Sequence, residues 1–213
     1  MTCAIDFGRR LRRRAAIGAA AGLELLLLGS CADRTARTTE PPPWPRPADW
    51  KAETIPFPLD FAPRIRHKGV EELRFAPAFF TPTAPGYFSY AFVWWLKDAQ
   101  PLPPAVLAAE LNQYYEGLCS AVGKKKFAFD PARYRVQLAP EASELPLWEA
   151  ASGQADLYDA FTTGQPLSLR LHAYQRDCPH SGHRAVLVLA SPQPESAPIW
   201  AELRARAEAF RCP

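Results

Sequence analysis

Ten consecutive residues, Tyr87-Phe88-Ser89-Tyr90-Ala91-Phe92-Val93-Trp94-Trp95-Leu96, restrict the fold more than any other stretch of the chain. Strand alternation points Phe88, Tyr90, Phe92, Trp94 and Leu96 one way and Tyr87, Ala91, Val93 and Trp95 the other. Both faces are therefore apolar, and such a strand needs cover on both sides. A second uninterrupted apolar run, Ala185-Val186-Leu187-Val188-Leu189-Ala190, belongs with it in the interior of one sheet.

Other segments supply edges and cover. Glu72-Leu73-Arg74-Phe75 is a short strand, and Arg133 to Leu138 alternates polar and apolar, as a strand with one wet face does. Leu157 to Phe161 and Leu167 to Tyr174 flank Thr162-Thr163-Gly164-Gln165, a hairpin turn with Gly in the left-handed position. Pro103-Pro104 opens a helix where missing donors cost nothing. Leu107, Leu111, Tyr114 or Tyr115, Leu118 and Val122 recur at helical spacing up to Gly123, and Lys124 to Lys126 meet the negative end of the dipole. A last helix starts at Pro198, with Ile199 or Trp200, Leu203, Ala207 and Phe210 as its stripe. The expected class is α+β: an antiparallel sheet of about five to seven strands with two main helices packed against it.

Charge separates the leader from the rest. Of 25 Lys and Arg and 22 Asp and Glu, five Arg and two acids lie in residues 1–30, which leaves 20 of each sign in residues 31–213. A neutral remainder carries no electrostatic case for nucleic acid. All 23 prolines fall after residue 40, yet 48% apolar and 12% aromatic content is too rich for a disordered chain. The expected division is a signal peptide over 1–30, a proline-rich tether over 31–50 around Pro41-Pro42-Pro43-Trp44-Pro45-Arg46-Pro47, and one globular domain over 51–213. A docking peptide for a proline-reading partner is the alternative for the tether.

The leader runs from Arg9, Arg10, Arg12, Arg13 and Arg14 through the apolar stretch Ala15 to Leu28. That order is a secretory signal; a membrane anchor would need about 20 apolar residues and would not carry Glu24. Leu28-Gly29-Ser30-Cys31 resembles the lipobox of bacterial lipoproteins. The resemblance implies cleavage before Cys31, acylation of its thiol, and a place in the cell envelope held to a membrane by lipid. Ala32 rather than Asp after Cys31 leans, by the same resemblance, towards an outer membrane. Arg9-Arg10 also resembles a twin-arginine export signal, although Gly8 precedes the pair and three further Arg crowd it; an ordinary Sec leader is the alternative. The order of strands and helices is similar to the PsbP-like fold of photosystem accessory proteins, which implies an architecture and transfers no functional residue. The stretches Gly69 to Phe80 and Phe88 to Leu96 are also similar to those of uncharacterised bacterial exported proteins, which brings no activity with it.

Candidate chemistry is sparse. After cleavage and acylation, Cys119, Cys178 and Cys212 allow three disulfide pairings, of which Cys178 with Cys212, both at element ends, is favoured. Cys178-Pro179-His180-Ser181-Gly182-His183 puts a thiol and two imidazoles within six residues, so Cys178, His180 and His183 form a metal-ligand candidate, with Asp177 or His67 as a fourth. A turn with two solvated histidines is the plainer reading. Ser89 lacks the sharp elbow of a serine nucleophile. Glu71 with Glu72, and Asp156 with Asp159, are expected to be solvated, and His172 shares a polar strand face with Ser168, Arg170, Tyr174 and Arg176. Six tryptophans suit an apolar groove, with Trp148 at its rim. No cofactor is implied. The expected role is a non-catalytic binding or assembly accessory whose partner is the membrane through Cys31, an envelope protein or a hydrophobic ligand; the alternatives are an exported metal-dependent hydrolase and a lipid-carrying module.

Overall fold

A computed structural model describes residues 41–97, 99–123 and 126–213. The leader, the arginine pair and Cys31 lie outside the described residues, as do Lys124 and Lys125 of the lysine run. The chain divides into Met1–Thr38 and Thr39–Pro213, and the fold is that of the second unit. No helix among the described residues is long and apolar enough to cross a membrane.

Seven strands and two helices follow one another as β1 (Lys51–Pro56), β2 (Gly69–Phe75), β3 (Tyr90–Lys97), α1 (Pro104–Gly123), β4 (Arg135–Glu141), β5 (Glu149–Tyr158), β6 (Pro166–Cys178), β7 (His183–Ser191) and α2 (Pro198–Ala209). They form a single antiparallel sheet in the order β1-β2-β3-β7-β6-β5-β4, and the class is α+β as expected. The chain meanders from one edge to the middle, α1 carries it to the far edge, and the second meander returns to β3.

The two fully apolar strands, β3 and β7, pair at the centre, Phe92 opposite Val188. Tyr90, Phe92, Trp94 and Leu96 join Val186 and Val188 beneath Leu107, Leu111, Tyr114 and Tyr115 of α1. Ala91, Val93 and Trp95 join Leu187 and Leu189 beneath Ile199, Trp200 and Leu203 of α2. Each large side chain buried this way contributes roughly 1.5–3 kcal/mol, so the two-sided cover is what holds the sheet between its helices.

Several elements differ from expectation. β3 starts at Tyr90 because Phe88 has φ +48°, a left-handed conformation that ends the ladder and turns Tyr87 into the cluster under α1 instead of the opposite one. β1 and residues 149–156 of β5 were not expected: β1 carries edge polarity and Pro56, and β5 opens on Ala, Ser and Gly rather than large apolar residues. β5 ends at Tyr158, so residues 159–161 are turn rather than strand. Gly164 does take the left-handed conformation, at φ +69°. Gly123 is the last residue of α1; a Cβ there would lie 2.5 Å from the Phe129 ring, so close packing rather than backbone conformation requires glycine. The segment expected as a tether is folded in its described part. Trp44 and Trp50 are only 5% and 2% exposed and pack on the α2 side, with the Trp44 indole N–H donating to the Arg206 carbonyl at 2.9 Å.

Candidate ligand cleft and buried polar clusters

Cys178 and Cys212 are joined by a disulfide with a Cα–Cα distance of 5.4 Å, which fastens the chain end beyond α2 to the end of β6. This removes the thiolate from the proposed metal set. The His183 Nδ1–H donates to the Ser181 carbonyl at 2.7 Å and the ring stacks on Trp95 at 4.6 Å, while His180 is exposed. Asp177 pairs with Arg184 at 2.7 Å, and His67 is 2.8 Å from Glu110 beside Phe57 and Trp94. The Cys178, His180 and His183 candidate is therefore not assembled, and no cluster of three His, Cys, Asp or Glu suited to a metal occurs among the described residues. Cys119 is a buried free thiol 3.3 Å from the Tyr158 carbonyl, and burial pushes its pKa up to about 11.

The carboxylates expected in solvent are largely inside. Glu71 and Glu72 point to opposite faces of β2 and both are buried. Glu71 lies under α1 and accepts from the Trp94 indole N–H at 3.1 Å; burial pushes its pKa up to about 8, against hydrogen bonds from Trp94 and Tyr114 that lower it. Glu72, on the other face, pairs with Arg74 at 3.0 Å and accepts from the Thr54 hydroxyl. Arg74 in turn donates to the Trp44 carbonyl at 2.6 Å and lies 4.6 Å from the Trp44 ring. Asp159 is also buried, whereas Asp156 remains partly exposed and accepts from Ser168 at 2.5 Å. Burial acts to raise the Asp159 pKa, but bonds from Thr162, Thr163 and Tyr87 outweigh it and hold the carboxyl below its ordinary value. Its partners include the Tyr87 hydroxyl at 2.8 Å and the amides of Phe161, Thr162 and Thr163, so this carboxylate builds the β5–β6 turn.

Ser89 and His172 are both held in contacts within the fold. Ser89 is buried between the Ser191 hydroxyl, at 2.8 Å, and the Tyr87 carbonyl. His172 has Nδ1 3.0 Å from Glu141 and Nε2 3.0 Å from Glu195, with the Trp200 ring edge-on. Both ring nitrogens face carboxylates, so the ring bridges β4 and the segment after β7. The face it shares is less exposed than expected. Tyr174 is buried, Arg170 donates to the Pro192 and Gln193 carbonyls at 3.3 Å, and Arg176 lies 5.5 Å from the Trp148 ring.

A cleft lies beside Trp148. It occupies about 350 Å³ between the start of α1, the β4–β5 connection and strands β5 and β6. Leu102, Pro104 and Leu107 form one wall; Trp148, Ala150 and Tyr174 form another. Trp148 is half-buried there, edge-on to Phe210 at 5.7 Å. Beside it Leu147 is 84% exposed with φ +67°, and Val106 on the first turn of α1 is 44% exposed. Glu141 and Glu149 are the charged residues of the lining. The loop Pro146-Leu147-Trp148-Glu149 marks the tryptophan in sequence; Tyr174 stands out there only on the strand face of His172, and the two glutamates carry no signal of their own. A wider groove of about 700 Å³ between α1 and β4, with Arg64, Asn112, Glu116 and Tyr134 in its lining, is shallow and open.

No protein-family model matches the chain, and no curated protein is similar enough to match. Among solved structures, the chain is similar to the crystal structure of LpqN, involved in cell envelope biogenesis of Mycobacterium tuberculosis, at a TM-score of 0.30 and 14% identity over 78% of each chain.

Proposed function

We propose that the chain is an exported lipoprotein of the cell envelope, acylated on Cys31, whose folded unit is a non-catalytic binding or assembly module. The observation that carries the reading is the order of the first 31 residues: an arginine cluster, an apolar run, then Leu28-Gly29-Ser30-Cys31. The pairing of Cys178 with Cys212 supports it, since a disulfide of this kind persists in oxidising compartments. The fate of the reactive groups supports the second half. Ser89, His172, Cys178, Glu71, Glu72 and Asp159 are each engaged in bonds that hold elements together. Acyl chains contribute about 0.8 kcal/mol per buried methylene, so two or more anchor a soluble domain firmly. Replacing Cys31 by Ala and fractionating cells tests the anchor: the wild-type chain is expected with membranes and the variant in the soluble extract. A variant that stays with membranes, or a wild-type chain recovered in the soluble extract, overturns the reading.

A further inference from the structure

The geometry points to the cleft beside Trp148 as a binding site for a small organic cation, an ammonium group carried on an apolar body. The inference deepens the reading of the domain as a binding module and rests on it. The volume of about 350 Å³ falls at the lower end of the roughly 300–1,000 Å³ of small-molecule sites, which suits a compact ligand and not a diacyl lipid. The walls are apolar where Leu102, Leu107 and Trp148 meet, and both charged residues of the lining, Glu141 and Glu149, are acids. Glu149 is exposed and has no ion-pair or hydrogen-bond partner among the described residues, so its charge is available to a ligand.

Of the acids around the Tyr174 phenol, Glu144 and Glu195 pair with Arg204, and Glu141 and Glu195 with His172, so Glu149 is the acid of the lining left without a partner among the described residues. The Tyr174 phenol is held up at about 12, by burial first and then by the negative charges of Glu144 and Glu141, with Glu195 adding to them and Arg204 opposing. An anion would meet those carboxylates, and the start of α1 offers it few donors. Pro103 and Pro104 have no N–H, and the Val106 and Leu107 amides already donate to the Pro103 carbonyl at 2.8 and 3.0 Å. The indole itself accepts a cation: the Arg176 guanidinium lies 5.5 Å from the Trp148 ring, outside the lining. Leu147 precedes Trp148 in the chain, next to the lining. A leucine held in the left-handed region and exposed to water is unfavourable on both counts, and such residues cluster at ligand clamps.

The test uses the full chain in a non-ionic detergent, with ¹⁵N-labelled tryptophan and the Trp148 indole resonance assigned by its loss in Trp148→Phe. Benzyltrimethylammonium, benzyl alcohol and benzoate are titrated separately. The ammonium is expected to shift the resonance saturably, and benzoate to leave it unmoved. Glu149→Gln and Leu147→Gly should each weaken the ammonium by about threefold or more without lowering the thermal midpoint. If benzyl alcohol or benzoate binds as tightly as the ammonium, the assignment to cations falls while a binding cleft stands. If none of the three moves the resonance at millimolar concentration, the binding role of the cleft falls as well.

Discussion

Glu71→Gln replaces a fully buried carboxyl with a neutral group of the same shape, which isolates what ionising that position costs the fold. Burial pushes the Glu71 carboxyl up to about 8, from an ordinary value of 4.5. Between those two values the unfolded chain has lost the proton and the folded one keeps it, so folding takes up a proton and stability falls as pH rises. The gap, at ~1.36 kcal/mol per pH unit, amounts to about 5 kcal/mol, absent at pH 4.5 and fully developed above pH 8. Glutamine still accepts from the Trp94 indole at the position now 3.1 Å away and carries no proton to lose. Urea unfolding of both proteins, disulfide intact, from pH 4.5 to 9 gives the difference directly, because the other titrating groups are shared. The variant should gain on the wild type steadily across that window and hold a constant lead above it. A difference that does not change with pH would refute the burial of this carboxyl beneath α1.

Three further perturbations address other parts of the fold. Trp44→Ala should cost about 3–5 kcal/mol in urea unfolding, since the indole packs at 6.4 Å from Phe210 and under Arg74; a surface tether would lose almost nothing. Asp159→Ala should cost at least about 3 kcal/mol and raise the proteolytic susceptibility of the β5–β6 turn, because several donors lose one shared acceptor. The native Asp159 contribution itself should be lost as pH falls below its ordinary 3.8. Reducing Cys178–Cys212, which closes a separation of 34 residues, should lower stability by roughly 4 kcal/mol as read by guanidinium midpoints with and without reductant.

The centre of the fold was legible because period and composition agree there. β3 and β7 are apolar on both faces, and that alone places them inside a sheet covered twice. The helices were legible through Leu107, Leu111 and Leu203 at helical spacing and through prolines at their starts. What escaped was set by distant partners. A Glu71-Glu72 pair reads as solvated until Trp94 from β3 and Arg74 beside Trp44 reach them on opposite faces. Trp44 sits in a proline-rich run with no periodicity, and only the α2 surface gives it a place to be buried. The left-handed Phe88, in an otherwise continuous strand pattern, carries no local signal at all. The cleft draws on α1, β5, β6 and the β4–β5 connection, so apart from Trp148 its residues become neighbours through topology and not through spacing.

Intact mass spectrometry of the native protein extracted from its host's membranes tests the exported, acylated state most directly. The expected spectrum is a chain beginning at Cys31, heavier than its polypeptide by acyl groups and lighter by two hydrogens for the Cys178–Cys212 bond. A mass that retains Met1, with Cys31 unmodified and both distal thiols reduced, would contradict it.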